Sequence, residues 1–514
     1  MARYQAYSQD QGKFISVFFE DQLLPGTFEH ALNHIVDHEL ELDIFLTRYK
    51  NDKCGRPAID PALLLKIVFF AYSHGITSSR KIAVCCQTNI VFKALSADTM
   101  PNFTTIAHFI SSMEAEITPL FRNILLICEG MNLIGKEMFA IDGCKLSSNA
   151  SKEQSGTHAE LEKKRKKIEQ NIKYILKIHS KEDKTYTAAA VEDLSTKRAK
   201  QIEKLRAKSK TILDFLSENE ERIGISGKAI KSNITDKESG KMPSAHGVVQ
   251  GYNGIATADA KHQIIVGAEA QGTGSEQEQL KNMIETSLEN LENVSASPPK
   301  KEEIVILADN GFHSEKNMKY LIKEEIDGYI PDRQYRKRDP RFADADRYKK
   351  TINGKKIKVK YFVPKDFKMD KDLGLPICPG GHAMYLKNQN FVVKGKKGIS
   401  YIAREKNCSG CPLREKCLRK PNTKARQVTF FSGKTAENKK SATRQMIEKI
   451  DTQKGREIYG HRMGLIEPVF GNIRSNLRLD HFSLRSQKKV NIQWLLYCMT
   501  HNIGKIQRYG QIAA

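Results

Sequence analysis

Three acidic residues stand in settings suited to chemistry. Asp142 closes the run Met138-Phe139-Ala140-Ile141 and is followed by Gly143, and Asp309 follows Ile304–Leu307 and Ala308 with Gly311 two residues on. A short apolar run ending in an acid and a glycine reads as a buried strand whose carboxylate emerges at its carboxyl end. If the two strands are neighbours, their carboxylates converge at one edge of a sheet, where open α/β sheets place their ligands. Converging carboxylates repel, and each pKa rises unless a cation sits between them. Hard oxygen ligands with few thiols or imidazoles nearby suit magnesium or manganese. Alone, an Asp followed closely by Gly is an ordinary turn; the repeated context sets this pair apart.

The third acid, Glu467, lies in Tyr459-Gly-His-Arg462-Met-Gly-Leu-Ile-Glu467-Pro468-Val-Phe-Gly-Asn-Ile-Arg474. The proline after it predicts a helix N-terminus at Glu467, with Arg474 about two turns on and on the same face. A carboxylate flanked by Arg462 and Arg474 fits a metal ligand next to phosphate clamps. An ordinary helix-end salt bridge fits the spacing equally well.

Four of the ten cysteines cluster: Cys378, followed by Pro379-Gly380-Gly381, then Cys408-x2-Cys411-x5-Cys417. Turn residues beside thiols let several sulfurs converge on one ion, and four thiolates suit a tetrahedral structural zinc. His382 replacing one ligand, an iron–sulfur cluster and four unligated thiols remain open beside it. Lys and Arg crowd the segment (Arg404, Lys406, Arg414, Lys416, Arg419, Lys420), so it either touches a phosphate backbone or is a solvated face. The other six (Cys54, Cys85, Cys86, Cys128, Cys144, Cys498) are scattered, mostly among apolar neighbours, and read as small buried hydrophobes of a reducing compartment.

The elements that must position these groups follow from patterning. Residues 1–135 read as helical: Asp60 caps a buried helix over Ala62–Tyr72 ended by Gly75, Ser78-Ser79-Arg80 opens another through Cys86, and Thr104-Thr105 opens a third through Met113. Short helices with polar caps suit a helix-turn-helix-like DNA-binding unit or an ordinary bundle. Residues 157–222 are rich in Lys and Glu and nearly free of Gly and Pro. Apolar positions such as Leu161, Ile168, Ile172, Ile202, Leu205 and Ile212 recur at helical spacing, so two long helices with a break near Ser180–Lys184 form an antiparallel hairpin. Strands are expected at Gly247–Thr257 and His262–Ala268 around a turn at Ala258–Lys261. A helix from Glu276 to Leu291, the strand Ile304–Leu307, a helix capped by Ser314 and a strand at Gly328–Ile330 follow. That order makes a mixed α/β sheet with helices packed on it.

The chain has 514 residues and a formal net charge of +24. With 39% hydrophobic residues it can bury a core, and its length suggests roughly two to four structural units. The longest apolar stretch, Leu63–Tyr72, is interrupted by Lys66 and falls far short of the ~20 residues a spanning helix needs. The start, MARYQAYSQD, has no hydrophobic signal core, so secretion is not expected. Excess positive charge favours a polyanionic partner, most simply nucleic acid.

These residues carry a resemblance to bacterial insertion-sequence transposases of the DDE type, which have a ribonuclease-H-like catalytic core. The chain is similar to the branch whose final signature reads Tyr-x2-Arg-x3-Glu-x6-Lys: Tyr459-x2-Arg462 matches, the next gap is x4, and Glu467-x6 ends in Arg474 in place of Lys. "FAIDGCKLSSNASK" resembles the first-aspartate block and "VILADNGFHSEKNM" the second. "GRPAIDPALLLKIVFFAYSHGITSSRKI" with "PNFTTIAHF" resembles the preceding helical domain, and "HFSLRSQKKVNIQWLLYCMTHNIGKI" the closing block. The resemblance implies a helical N-terminal DNA-binding domain (1–135) and a ribonuclease-H-like domain (136–510) with a helical-hairpin insertion (151–240) and a Cys-rich insertion (333–430). It implies a transposase that cuts the ends of an insertion sequence and joins them to target DNA by two-metal-ion hydrolysis and transesterification. By that resemblance Asp142 would bridge two Mg2+ or Mn2+ ions, and Asp309 and Glu467 would each hold one. Arg462 and Arg474 hold phosphate, Tyr459 stacks or hydrogen bonds near the scissile strand, and Lys145 is a lesser DNA contact. The implied partners are double-stranded DNA, as terminal repeats and as target, and further copies of the chain; no membrane is involved, and the protein acts in the bacterial cytoplasm at the nucleoid. A stand-alone nuclease on the same fold and a catalytically inactive DNA-binding derivative are the rival readings.

Overall fold

The computed structural model describes residues 16–49, 57–182, 188–224, 227–244, 247–352, 354–393, 396–420, 422–431 and 441–512. Cys54 and part of the Ser180–Lys184 break lie outside them. The described chain divides into two compact units, one from residues up to Ile330 with Glu457 onward, the other Pro331–Arg456.

The first unit is organised by a six-stranded mixed sheet: β1 (Met138–Ser147), β2 (Gly240–Ser244), β3 (Gly247–Asp259), β4 (Ile265–Gln271), β5 (Val305–Ala308) and β6 (Asp327–Tyr329). Its order is β2-β3-β1-β5-β6, with β4 also on β3. The pairs β1–β3, β3–β2 and β3–β4 are antiparallel, whereas β1–β5 and β5–β6 are parallel. This is the mixed α/β arrangement that the alternation of strands and helices anticipates. Boundaries move: β4 spans Ile265–Gln271 rather than His262–Ala268, the helix expected from Glu276 begins at Leu280, and β3 continues to Asp259, whose carboxylate accepts the backbone N–H groups of Lys136 and Lys261 at 2.9 and 2.8 Å, so the reversal falls after it.

Helices supply the rest of this core. In α1 (Pro61–Ser73) Asp60 accepts from the N–H of Ala62 and Pro61 takes the first turn, where its missing donor costs nothing. Residues Leu64–Tyr72 are all buried, and Lys66 among them pairs with Asp37 at 2.6 Å. Next come α2 (Ser79–Thr88), α3 (Phe103–Ser111) and α4 (Ile117–Gly130). The cap of α3 is Asn102, not the threonines, because its Oδ1 takes both the N–H and the hydroxyl of Thr104. Two long helices, α5 (His158–Glu182) and α6 (Ala188–Glu218), bury Leu161, Ile168, Ile172, Ile202, Ile212 and Phe215 against each other. The shorter α7 (Leu280–Val294) follows β4, and α8 (Glu315–Lys323), capped by Ser314, follows β5.

The second unit holds a three-stranded antiparallel sheet of β7 (Tyr385–Val393), β8 (Lys396–Ile402) and β9 (Gln427–Phe431), together with α9 (Ala442–Asp451). Phe367, Met384, Tyr401, Ala403 and Val428 form its core, with Cys378, Cys408 and Cys417 packed at its edge.

The chain returns to the first unit through α10 (Gln453–Gly471) and ends in α11 (Gln487–Tyr509). The latter reads as polar at every turn, yet Ile492–Ile503 is continuously buried. Its polar groups are spent on the sheet. Asn502 both accepts from the N–H and donates to the carbonyl of Ile265, Asn491 accepts from Ala270, and the only tryptophan, Trp494, donates its indole N–H to Ile255 at 3.0 Å. Such bonds close an edge that would otherwise present unpaired backbone groups. Tyr497 stacks on Tyr72 of α1 with centroids 4.6 Å apart, so α1, α11 and the sheet share one core. Among the described residues no helix is long and apolar enough to cross a membrane.

Candidate active site

The parallel ladder of β1 and β5 runs from Met138↔Val305 to Ile141↔Ala308 and stops. The next residues on the two strands are Asp142 and Asp309, and neighbouring strands lie about 4.8 Å apart. β1 itself does not stop there, because it stays paired with β3 as far as Ser147. Asp142 therefore occupies mid-strand, not the carboxyl end expected from the sequence; what ends at that level is its neighbour. Asp309 opens a 3-10 turn over Asn310–Phe312, and its Oδ1 accepts from the N–H of Gly311 at 2.6 Å.

Glu467 also departs from expectation. It does not begin a helix: α10 runs from Gln453 to Gly471 with Pro468 inside it. A proline there leaves the carbonyl four residues back without its helical donor, and the structure supplies another. That carbonyl belongs to Gly464, and the side-chain amide of Gln263 donates to it at 3.0 Å. A π-helical turn over Asn472–Asn476 then carries Arg474, so a straight seven-residue spacing on one face does not apply.

Arg462, one turn before Glu467, ties the acids together. Its Nη2 lies 2.5 Å from Asp142 Oδ2 and its Nη1 3.9 Å from Glu467 Oε1. Burial opposes its charge, but Asp142, Tyr459, Asp309 and Glu467 outweigh that and hold the guanidinium above its ordinary value. Burial pushes the Asp142 carboxyl up to about 6; Arg462 opposes this and Asp309 and Glu467 reinforce it. These interactions put Asp142, Asp309, Glu467 and Arg462 in one neighbourhood, with Tyr459 one turn before Arg462 on α10. Lys145 donates to the carbonyl of Pro243 at 3.2 Å, and the exposed Arg474 acts on the buried thiol of Cys144.

Two further residues belong to the site and escaped the sequence reading. Glu276, in the turn after β4, has its carboxyl pushed up to about 7 by burial first and then by Asp309, with Lys145 opposing. Asn253 on β3 is fully buried and donates to Glu276 at 3.3 Å. A signal existed: Glu276 follows a buried strand and two glycines, the setting that singled out Asp309.

Among the described residues no three His, Cys, Asp or Glu side chains are placed to share one metal ion. At the acids the reason is visible, since the Arg462 guanidinium occupies the space toward Asp142 and Glu467. The donor set nevertheless fits a divalent cation. It consists of hard carboxylate oxygens, four acids against Arg462 and Lys145, and the buried Oδ1 of Asn253 has no hydrogen-bond partner. The four clustered cysteines are free thiols lining one small cavity of about 30 Å3. Burial raises the Cys417 thiol, with Cys408, Cys378 and Cys411 adding to the effect. Their placement does not support zinc.

A six-stranded sheet with three antiparallel and two parallel strand pairs, and acids where the parallel ladder of its central strand ends, defines a ribonuclease-H-like α/β core. Residues 377–507 match the model of the transposase DDE domain, and residues 17–112 match that of a transposase domain of the DUF772 type. Both matches are to transposase families and support an insertion-sequence DDE transposase. No match was found among curated proteins. Members of this family act on DNA and generally use divalent metal ions. The DDE-domain match includes Glu467 and leaves Asp142 and Asp309 outside it.

Proposed function

We propose that the protein cleaves the ends of an insertion sequence and joins them to target DNA, with Asp142, Asp309 and Glu467 as its catalytic acids. The observation that carries this is that Asp142, in mid-strand, and Asp309, just past the end of β5, are the next residues where the β1–β5 ladder ends, with Arg462 linking Asp142 to Glu467. The three carboxylates would hold two Mg2+ or Mn2+ ions, which when bound stabilise the attacking and leaving oxygens of an in-line phosphodiester displacement. Arg462 neutralises Asp142 before DNA arrives and turns to a phosphate once that carboxylate is otherwise compensated. Tyr459 and Arg474 flank the strand, and Lys145 offsets the negative charge around Glu276. Water attacks first and frees a 3′-hydroxyl, and that hydroxyl then attacks target DNA.

The 1–135 helices read the terminal repeats, the 151–240 hairpin assists in pairing two ends, and two or more copies assemble on DNA in the cytoplasm at the nucleoid. The second unit, which carries the 333–430 insertion, adds a groove of about 1020 Å3. Lys337, Lys358, Lys360, Lys365, Lys416 and Arg419 line it against Asp366 and Glu415, a surface suited to a phosphate backbone. The test is incubation of the protein with pre-cut element ends, a target plasmid and magnesium. Joined product supports the reading; hydrolysis without joining marks a stand-alone nuclease. Asp142→Asn should abolish cleavage and leave DNA binding intact, and a fully active purified variant removes the assignment.

A further inference from the structure

Glu276 and Asn253 reach the acids through the turn after β4 and through β3. The turn Glu276–Glu278 is stapled to the Asp309 turn. Gln277 donates to the carbonyl of His313 at 3.3 Å, and Asn317 donates to the carbonyls of Gln277 and Phe312 at 2.8 and 2.7 Å. This fixes the Glu276 carboxylate over Gly311, where a β-carbon would lie 2.0 Å from Glu276 Oε2 and 2.8 Å from Asp309 Oδ1. Asn253 does the same at the other aspartate: a β-carbon on Gly143 would lie 2.8 Å from both Asn253 Nδ2 and Oδ1. The two glycines that follow the aspartates thus leave room for a fourth acid and an amide.

A carboxylate packed against two others is repelled, and among the described residues Glu276 has no ion pair within 4 Å. Its one side-chain donor is Asn253 Nδ2, which leaves Asn253 Oδ1 as a fully buried acceptor with nothing donating to it. Unpaired buried acceptors carry a free-energy cost, and a cation satisfies a carboxylate and an amide oxygen together. We propose that Glu276 is a fourth carboxylate of the divalent-cation site, held in place by Asn253, whose Oδ1 faces the same ion. This rests on the active-site reading above and deepens it.

The experiment titrates the DNA-free full-length protein with Mn2+. It follows affinity by calorimetry and the melting temperature with and without the ion, for wild type, Asp142→Asn, Glu276→Gln and Gly311→Ala. Glu276→Gln keeps the shape and the Asn253 bond, so we expect affinity to fall about tenfold or more. Its metal-free melting temperature should be unchanged or higher, because a repelling charge is gone. Gly311→Ala crowds the same carboxylate, and Asp309 Oδ1 beside it, without altering either charge and should lower affinity at least as much, which covers a failure of the glutamine variant to fold. A merely structural Glu276 gives the reverse pattern, a lower metal-free melting temperature with Mn2+ affinity intact, and overturns the proposal. If Asp142→Asn weakens binding and both Glu276→Gln and Gly311→Ala do not, this inference alone falls. If wild type does not bind Mn2+, or Asp142→Asn binds it as wild type does, the active-site reading falls as well.

Discussion

Replacing Arg462 by methionine keeps the bulk of the side chain on α10 and takes away the cation that faces Asp142. The two side chains are 10% and 18% exposed, so water does little to screen the carboxylate left behind. With the guanidinium 2.5 Å away the Asp142 carboxyl already sits at about 6, against an ordinary 3.8. That gap corresponds to about 3 kcal/mol between its two protonation states, and removing one partner of a buried pair costs about 3–5 kcal/mol. We therefore expect Arg462→Met to lose about 3 kcal/mol at pH 8 in EDTA. The sign with pH is fixed. A carboxyl raised in the native state contributes stability that is full below about 3.8 and is lost as pH rises through about 6. Without Arg462 the native carboxyl rises further, so the variant's deficit shrinks toward pH 5, where Asp142 takes up a proton. Urea unfolding followed by the fluorescence of Trp494, which lies in the same unit, reads this directly. Adding Asp142→Asn should restore most of the loss at pH 8. Equal deficits at pH 5 and pH 8, or no rescue by asparagine, refute the electrostatic account of this pair.

Three other outcomes follow from the same coordinates. Gly254→Ala places a β-carbon 3.1 Å from three atoms of the Trp494 indole; we expect a loss of about 1–3 kcal/mol and altered tryptophan emission, and unchanged emission and stability would show that the ring yields freely. Gln263→Ala removes the donor to the Gly464 carbonyl and should cost about 1 kcal/mol in urea unfolding. Pro468→Ala in the same background should recover part of that, because the alanine N–H resupplies the helical bond. In the second unit, changing Lys360, Lys365 and Arg419 together to glutamate should weaken duplex DNA binding. Fluorescence anisotropy should show a log–log salt slope shallower by about three, whereas an unchanged slope means that the groove does not carry phosphate contacts.

The sheet was legible wherever short apolar runs met turn residues, as at Ile304–Leu307 before Asp309, because burial and the exit of a polar group are both local patterns. The cap of α1 at Asp60 was legible for the same reason. Glu467 was misplaced because Pro468 argues locally for a helix start, and only a distant amide, Gln263, makes an interior proline tolerable. α11 was recognisable as a block but not as a core element, since Asn491 and Asn502 are polar residues whose partners, on the edge of β4, lie more than 200 residues away in sequence. Glu276 escaped because its position reads as the polar first turn of a helix, whereas that helix begins at Leu280 and Glu276 lies in the turn before it. Its meaning depends on Gly311 and Asn253, which lie far along the chain and reach it only through the sheet register.

The acids that meet at the end of the β1–β5 ladder are far from synchronous on the ribosome. Asp142 and Asp309 are made early, the whole 331–456 unit is threaded next, and only then does Glu467 appear, with α11 last of all. Until residues 487–509 have been translated, α1 and the edge of β4 lack the cover that α11 gives them. A polypeptide interrupted before residue 487 therefore holds Asp142 and Asp309 on an unfinished fold. On the reading proposed above, a copy interrupted before residue 487 is a folding casualty rather than a loose nuclease.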